Sequence, residues 1–112
     1  RAFCAGIDIN FLRDFFEETK RADPARTGIQ IREKLKVLQD YITSIEKCTK
    51  PVIAVAHGLC IGAGLDLITA CDVRLCSADT IVGIRETRVG MAADIGTLQR
   101  LQKVVGNQSW VR

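Results

Sequence analysis

Apolar residues recur along the chain with two periods, and their order predicts strands alternating with helices. Arg1 to Ile9 reads as the end of a strand, a small-residue turn at Cys4-Ala5-Gly6 and a helix start that Asp8 can cap. Phe11, Leu12, Phe15 and Phe16 then fall at helical spacing, with Arg13, Asp14, Glu17 and Glu18 between them. Lys20 to Gly28 is polar, contains Pro24 and Gly28, and reads as a mobile loop. Ile31, Leu35, Leu38, Ile42 and Ile45 recur at spacings of four, three, four and three, a single core-facing stripe on a helix from about Ile29 to Lys47. Pro51 ends that helical run.

Val52 to Ala56 is β-branched and apolar on both faces, which predicts a strand covered on both sides. His57-Gly58 turns the chain, and Gly62-Ala63-Gly64 leads into a helix from Leu65 to Cys71. Val73 to Cys76 and Thr80 to Ile84 read as strands. Ile95 to Val105 reads as a helix with Leu98, Leu101 and Val105 on one face, which Gly106 can stop before Asn107 caps another. No internal repeat is visible. This alternation makes a layered α/β architecture the expected fold class.

Length and composition narrow the function. The 112 residues suit one domain, and the start at Arg1 without Met and the stop at Val111-Arg112 within a helical pattern read as a piece of something longer. With 47% hydrophobic and 26% charged residues the chain is not disordered. A net charge of +3, scattered along the sequence, gives no ground for a nucleic-acid partner. The longest apolar stretch, Val52 to Leu65, is fourteen residues, too short for a membrane span. Five cysteines, Cys4, Cys48, Cys60, Cys71 and Cys76, form no CxxC pair and are expected to be buried free thiols rather than disulfides or metal ligands.

The single histidine rules out an HExxH zinc site. No nucleophile elbow, dinucleotide fingerprint or phosphate-binding GK[ST] loop occurs. Three features remain. Ala5-Gly6-Ile7-Asp8 and Gly62-Ala63-Gly64 are small-residue turns ahead of helices, and two such turns brought together can hold one anionic oxygen between two backbone amides. Either turn alone is equally a tight helix start. The third feature is a set of carboxylates. Asp66 lies among Leu65, Leu67, Ile68 and Ala70, where desolvation raises a carboxyl pKa and suits it to proton transfer. Glu86, between Arg85 and Arg88, has an ordinary role as a solvated ion pair. Asp94 has one as the cap of the helix beginning near Ile95.

Together these residues resemble the crotonase (enoyl-CoA hydratase/isomerase) superfamily. Ala2-Phe3-Cys4-Ala5-Gly6-Ile7-Asp8 is similar to its first oxyanion-hole segment, and Lys50-Pro51-Val52-Ile53-Ala54-Val55-Ala56-His57-Gly58 to the strand before its second. Gly62-Ala63-Gly64-Leu65-Asp66-Leu67 and Cys71-Asp72-Val73-Arg74 resemble the glycine turn, helix and strand that follow. Within the superfamily, the Δ3,5-Δ2,4-dienoyl-CoA isomerase subgroup is most similar. Asp66 stands where hydratases carry a glutamate, Glu86 follows twenty residues later, and Asp94 eight residues after that, within Ala92-Ala93-Asp94-Ile95-Gly96-Thr97-Leu98-Gln99-Arg100-Leu101. Two departures are Ala63 in place of a glycine and Arg88 in place of an acidic residue.

The resemblance implies a crotonase-like layered ββα superhelix, of which residues 1–112 would be a partial catalytic core lacking the first strands and the C-terminal helices. It implies an isomerase of fatty acid β-oxidation acting on a 3,5-dienoyl-CoA. Ile7 and Ala63 would form the oxyanion hole, and Asp66, Glu86 and Asp94 the catalytic acids. Glu86 would exchange a proton at carbon 2 and Asp94 at carbon 6, the reverse order staying open, while Asp66 tunes the site. Ala5, Gly6, Ile7, Asp8, Ile9 and Ala63 would bind the thioester and pantetheine. No metal or other cofactor is implied, coenzyme A being part of the substrate. The resemblance further implies a homotrimer or homohexamer, in peroxisome or mitochondrion. The alternatives are an enoyl-CoA hydratase, a Δ3-Δ2-enoyl-CoA isomerase, and a non-catalytic binding protein of the same fold.

Overall fold

The structure, a computed structural model, describes residues 1–106; the cap expected at Asn107 lies outside the described residues. β1 (Ala2–Cys4) passes through the small-residue turn into α1 (Ile9–Thr19). Asp8 caps α1, its carboxylate accepting from the amides of Asn10 at 2.8 Å and Phe11 at 3.0 Å. The loop expected from Lys20 to Gly28 is shorter, because α2 (Pro24–Glu46) starts at the proline. Asp23 accepts from the Arg26 amide at 2.9 Å, and a proline in the first turn forfeits no helical hydrogen bond. Gly28 is thereby taken into the helix. The stripe from Ile31 to Ile45 is half-buried along its whole length.

The chain continues through β2 (Ile53–Ala56), β3 (Leu59–Ile61), α3 (Ala63–Ala70), β4 (Val73–Cys76), β5 (Ile81–Gly83), a 3₁₀ turn at Glu86–Val89 and α4 (Thr97–Val105). β3 has no counterpart in the sequence pattern; three residues between two turns give no readable alternation. β1, β3 and β5 form one parallel sheet in that order, and β2 pairs in parallel with β4. α3 is the central helix and packs against β1, β3, α2 and α4. Leu65, Ile68 and Cys71 meet Ala54, Ala56 and Cys60 in one cluster, and each large side chain buried there contributes about 1.5–3 kcal/mol.

β2 is not covered on both sides as expected. Ala54 and Ala56 are buried, but Ile53 and Val55 are 58% and 59% exposed. Their partners in β4, Val73 and Leu75, are exposed as well, because α3 packs on the other face and nothing else among the described residues covers this one. All five cysteines are free; Cys60 and Cys71 are buried and Cys4 partly so, whereas Cys48 and Cys76 are exposed, against expectation. Cys48 lies just past the end of α2, and Cys76 ends β4, a strand exposed throughout. Among the described residues no helix is long and apolar enough to cross a membrane.

Candidate active site

Two turns and a short irregular segment converge at the C-terminal end of the three-stranded sheet. β1 and β3 are parallel neighbours, with Cys4 in register with Cys60, so the turns that leave them lie side by side. Gly62 has φ +57°, a backbone state that disfavours any side chain. A β-carbon there would sit 3.3 Å from the Gly6 Cα and 3.5 Å from Glu86 Oε1, so both turns and Glu86 meet around one glycine. Gly64 is needed for a different reason: a β-carbon would lie 2.7 Å from that of Cys4, where α3 presses on β1.

Ile7 follows Gly6 and Ala63 follows Gly62. Among the described residues neither amide donates to a protein group. Ala63 is the first residue of α3, and its cap, Gly62, has no side chain to satisfy it. Among the described residues none other than glycine has positive φ, so the backbone at position 63 suits alanine. Both residues border a cavity of about 400 Å³. Ala5, Gly6 and Ile9 line it too, whereas Asp8 is taken up in capping α1 and does not.

All three carboxylates line the same cavity. Asp66, in the first turn of α3, is 1% exposed. Its Oδ1 accepts from the Thr97 amide at 2.6 Å and from the Thr97 hydroxyl at 2.7 Å. Burial pushes its pKa up, the Thr97 hydrogen bonds oppose this, and the nearby charges of Glu86 and Asp94 push it further up. Asp66 is therefore the side chain that caps α4, because Gly96 at the cap position offers none.

That removes the ordinary role expected for Asp94, since α4 begins at Thr97 rather than near Ile95. Asp94 stands in the turn before the helix, half-buried, and burial followed by the neighbouring Glu86 raises its pKa against the pull of its own backbone amide. Glu86 opens the 3₁₀ turn and is half-buried. Its Oε2 accepts from the Arg85 amide at 2.8 Å, and it makes no ion pair with Arg85 or Arg88 among the described residues. Arg88 is exposed.

The far wall of the cavity is apolar. α1 supplies Phe11, Phe15 and Phe16, and α2 supplies Leu35 and Leu38. Two backbone amides without a protein acceptor among the described residues, three acids and an apolar wall thus border one space, an arrangement that can hold an anionic oxygen beside groups able to exchange protons. Gln39, Thr97 and Arg100, none of them marked as a site residue by the sequence pattern, hold the acid-bearing segment. Gln39 Nε2 donates to the Asp94 carbonyl at 2.7 Å, and Arg100 donates to Glu46 and Thr43. Nothing local in the sequence marks Gln39; Thr97 and Arg100 lie within the run that carries the resemblance.

Residues 1–110 match the family described as enoyl-CoA hydratase/isomerase. The chain belongs to this family. A relative from Arabidopsis thaliana, named peroxisomal Delta(3,5)-Delta(2,4)-dienoyl-CoA isomerase, is 50% identical over 93% of this chain and 38% of its own length. The human protein named as the mitochondrial form is 48% identical over 99% of this chain and 34% of its own. The solved structure of an enoyl-CoA hydratase from Bacillus anthracis superposes with a TM-score of 0.77 at 28% identity, covering 97% of this chain and 38% of that one. The chain thus spans little more than a third of the relatives it matches. The crotonase fold expected from the sequence is the fold it has.

Proposed function

We propose that this chain carries the reacting centre of a Δ3,5-Δ2,4-dienoyl-CoA isomerase of fatty acid β-oxidation. The observation that carries the reading is a second acid, Asp94, on the same cavity as Glu86 and freed from any capping duty. Hydration of a single double bond gives that acid no task. Isomerisation of a 3,5-diene gives it one: a proton leaves carbon 2, and a proton must arrive at carbon 6.

In this reading the thioester oxygen sits between the Ile7 and Ala63 amides. Glu86 takes the carbon 2 proton, and the electron pair passes into a trienolate whose charge rests on that oxygen. Each well-placed amide stabilises it by roughly 3 kcal/mol. Asp94 then delivers its proton to carbon 6, leaving double bonds at carbons 2 and 4. A raised pKa favours the protonated form that this step needs. Asp66 holds α4 and adds negative charge rather than carrying a proton. Ala5 to Ile9 border the thioester and pantetheine end, and the phenylalanines of α1 the acyl chain. No metal, flavin or nicotinamide takes part in this scheme. The whole protein would be a homotrimer or homohexamer in peroxisome or mitochondrion, the compartments named for the relatives.

The test is the full-length protein assayed with 3,5-dienoyl-CoA, following ultraviolet absorbance of the conjugated 2,4-dienoyl product, with hydration of crotonyl-CoA measured beside it. Fast isomerisation with weak hydration is expected. Brisk hydration without isomerisation would make the protein a hydratase and overturn the reading.

A further inference from the structure

Asp94 lies in a stretch, Met91 to Gly96, that has no helix or strand of its own to fix it. Its carboxylate makes no hydrogen bond to another residue among those described, so its aim depends on where its backbone is held. The backbone is held from α2. Gln39, Thr43 and Glu46 are spaced four and three residues apart, along one face of that helix. Gln39 Nε2 donates to the Asp94 carbonyl at 2.7 Å. Thr43 Oγ1 and Glu46 Oε2 take the guanidinium of Arg100, at 3.0 Å from Nη2 to Thr43 and 3.0 and 2.8 Å from Nε and Nη2 to Glu46. Arg100 is 6% exposed, and its remaining nitrogen, Nη1, packs against Gly96. The polar face of α2 therefore holds the segment at Asp94 and, through Arg100, the helix that follows it, while Asp66 holds Thr97 between these two points.

From this geometry we infer that Gln39 is a positioning residue, whose side-chain amide fixes the Asp94 backbone so that the Asp94 carboxyl reaches the carbon 6 end of the diene. The inference rests on the functional reading above. It separates two jobs on α2: Thr43 and Glu46 dock α4, and Gln39 aims an acid. Gln39 touches no reacting atom and is needed only for the second proton step.

The test is Gln39→Met in the full-length protein, which keeps chain length and helix propensity and removes the donor. kcat for 3,5-dienoyl-CoA should fall about tenfold to a hundredfold, with KM within about threefold of wild type, as for a displaced catalytic group. In deuterated water, exchange at carbon 2 of recovered substrate, the step assigned to Glu86, should persist while product formation falls. Gln39→Lys, which restores a donor of similar reach, should recover most of the turnover. Unchanged kcat in Gln39→Met, or carbon 2 exchange that falls in step with turnover, would overturn the inference. Should Gln39→Met fail to fold, Gln39→Lys decides alone: near-wild-type kcat is expected, and a loss as large as that predicted for the methionine variant would overturn the inference. A wild-type protein inactive on 3,5-dienoyl-CoA would instead overturn the functional reading itself.

Discussion

The two halves of the cavity are built by different means. The half that would hold the thioester oxygen is made of backbone: two neighbouring parallel strands end in two turns, and glycines let those turns touch. The half that would move protons is made of side chains on a 3₁₀ turn and an irregular segment, held by Gln39, Asp66 and Arg100 from other elements. An anion cradle made of amides tolerates changes of side chain but not of backbone shape. A pair of acids tolerates some movement of its segment but no change in its own functional groups.

The sharpest break of this contrast is Asp94→Asn. The substituted amide keeps the shape of the carboxyl but cannot carry a proton, so turnover of 3,5-dienoyl-CoA should fall by about a hundredfold to ten-thousandfold. The melting temperature of this variant should stay within a few degrees of wild type, because Asp94 caps nothing. Full isomerase activity in it would remove Asp94 from the chemistry. Next is Gly64→Ala on the backbone side. Its methyl group would press on Cys4 where α3 meets β1, and denaturant titration should show a loss of about 1–3 kcal/mol.

A smaller effect concerns Asp66, which belongs to both halves because it sits on α3 and holds α4. Its pKa is raised in the folded protein above the ordinary 3.8. The folded state then holds its proton more tightly than the unfolded state, so this group's contribution to stability is fully present below about pH 3.8 and is lost as pH rises through the raised value. Asp66→Asn should therefore flatten the fall in stability above that pH; melting curves at several pH values, compared with wild type, would check it. An unchanged pH slope would mean the carboxyl is not desolvated in solution. The smallest effect is expected for Ala63→Gly. In the proposed mechanism only the amide of residue 63 would be used, so activity should stay within about tenfold, backbone freedom being worth about 1 kcal/mol.

The same contrast explains what can be read from the sequence. The backbone half is legible: small residues at Ala5-Gly6 and Gly62-Ala63-Gly64 mark helix starts by rules that act over a few positions, and Asp8 caps α1 as its place suggests. The burial of Asp66 is legible too, from its apolar neighbours. Its partner is not, since Thr97 is 31 positions away and no local rule links them. Asp94 looks like a cap because an aspartate before a helical run suits that role locally, yet a remote aspartate fills it. Pro24 and Gly28 read as breakers and overextend the loop, although proline at a helix start is favourable. Ile53 and Val55 look like residues of a fully covered strand, and composition alone does not say which face its neighbours leave open.

The bond from Asp66 to Thr97 also bears on the order in which the chain folds. α4 has nine residues and no cap of its own, and helices so short rarely persist alone in water. Its first amide is satisfied only by a side chain on α3 that is buried once α3 has docked on the sheet. During folding α4 therefore becomes stable after the central layer has formed, and the turn bearing Asp94 settles with it. Proton-transfer geometry would thus be among the last features of the native state to appear, and a chain caught just before that point would have its amide cradle assembled while its second acid still wandered.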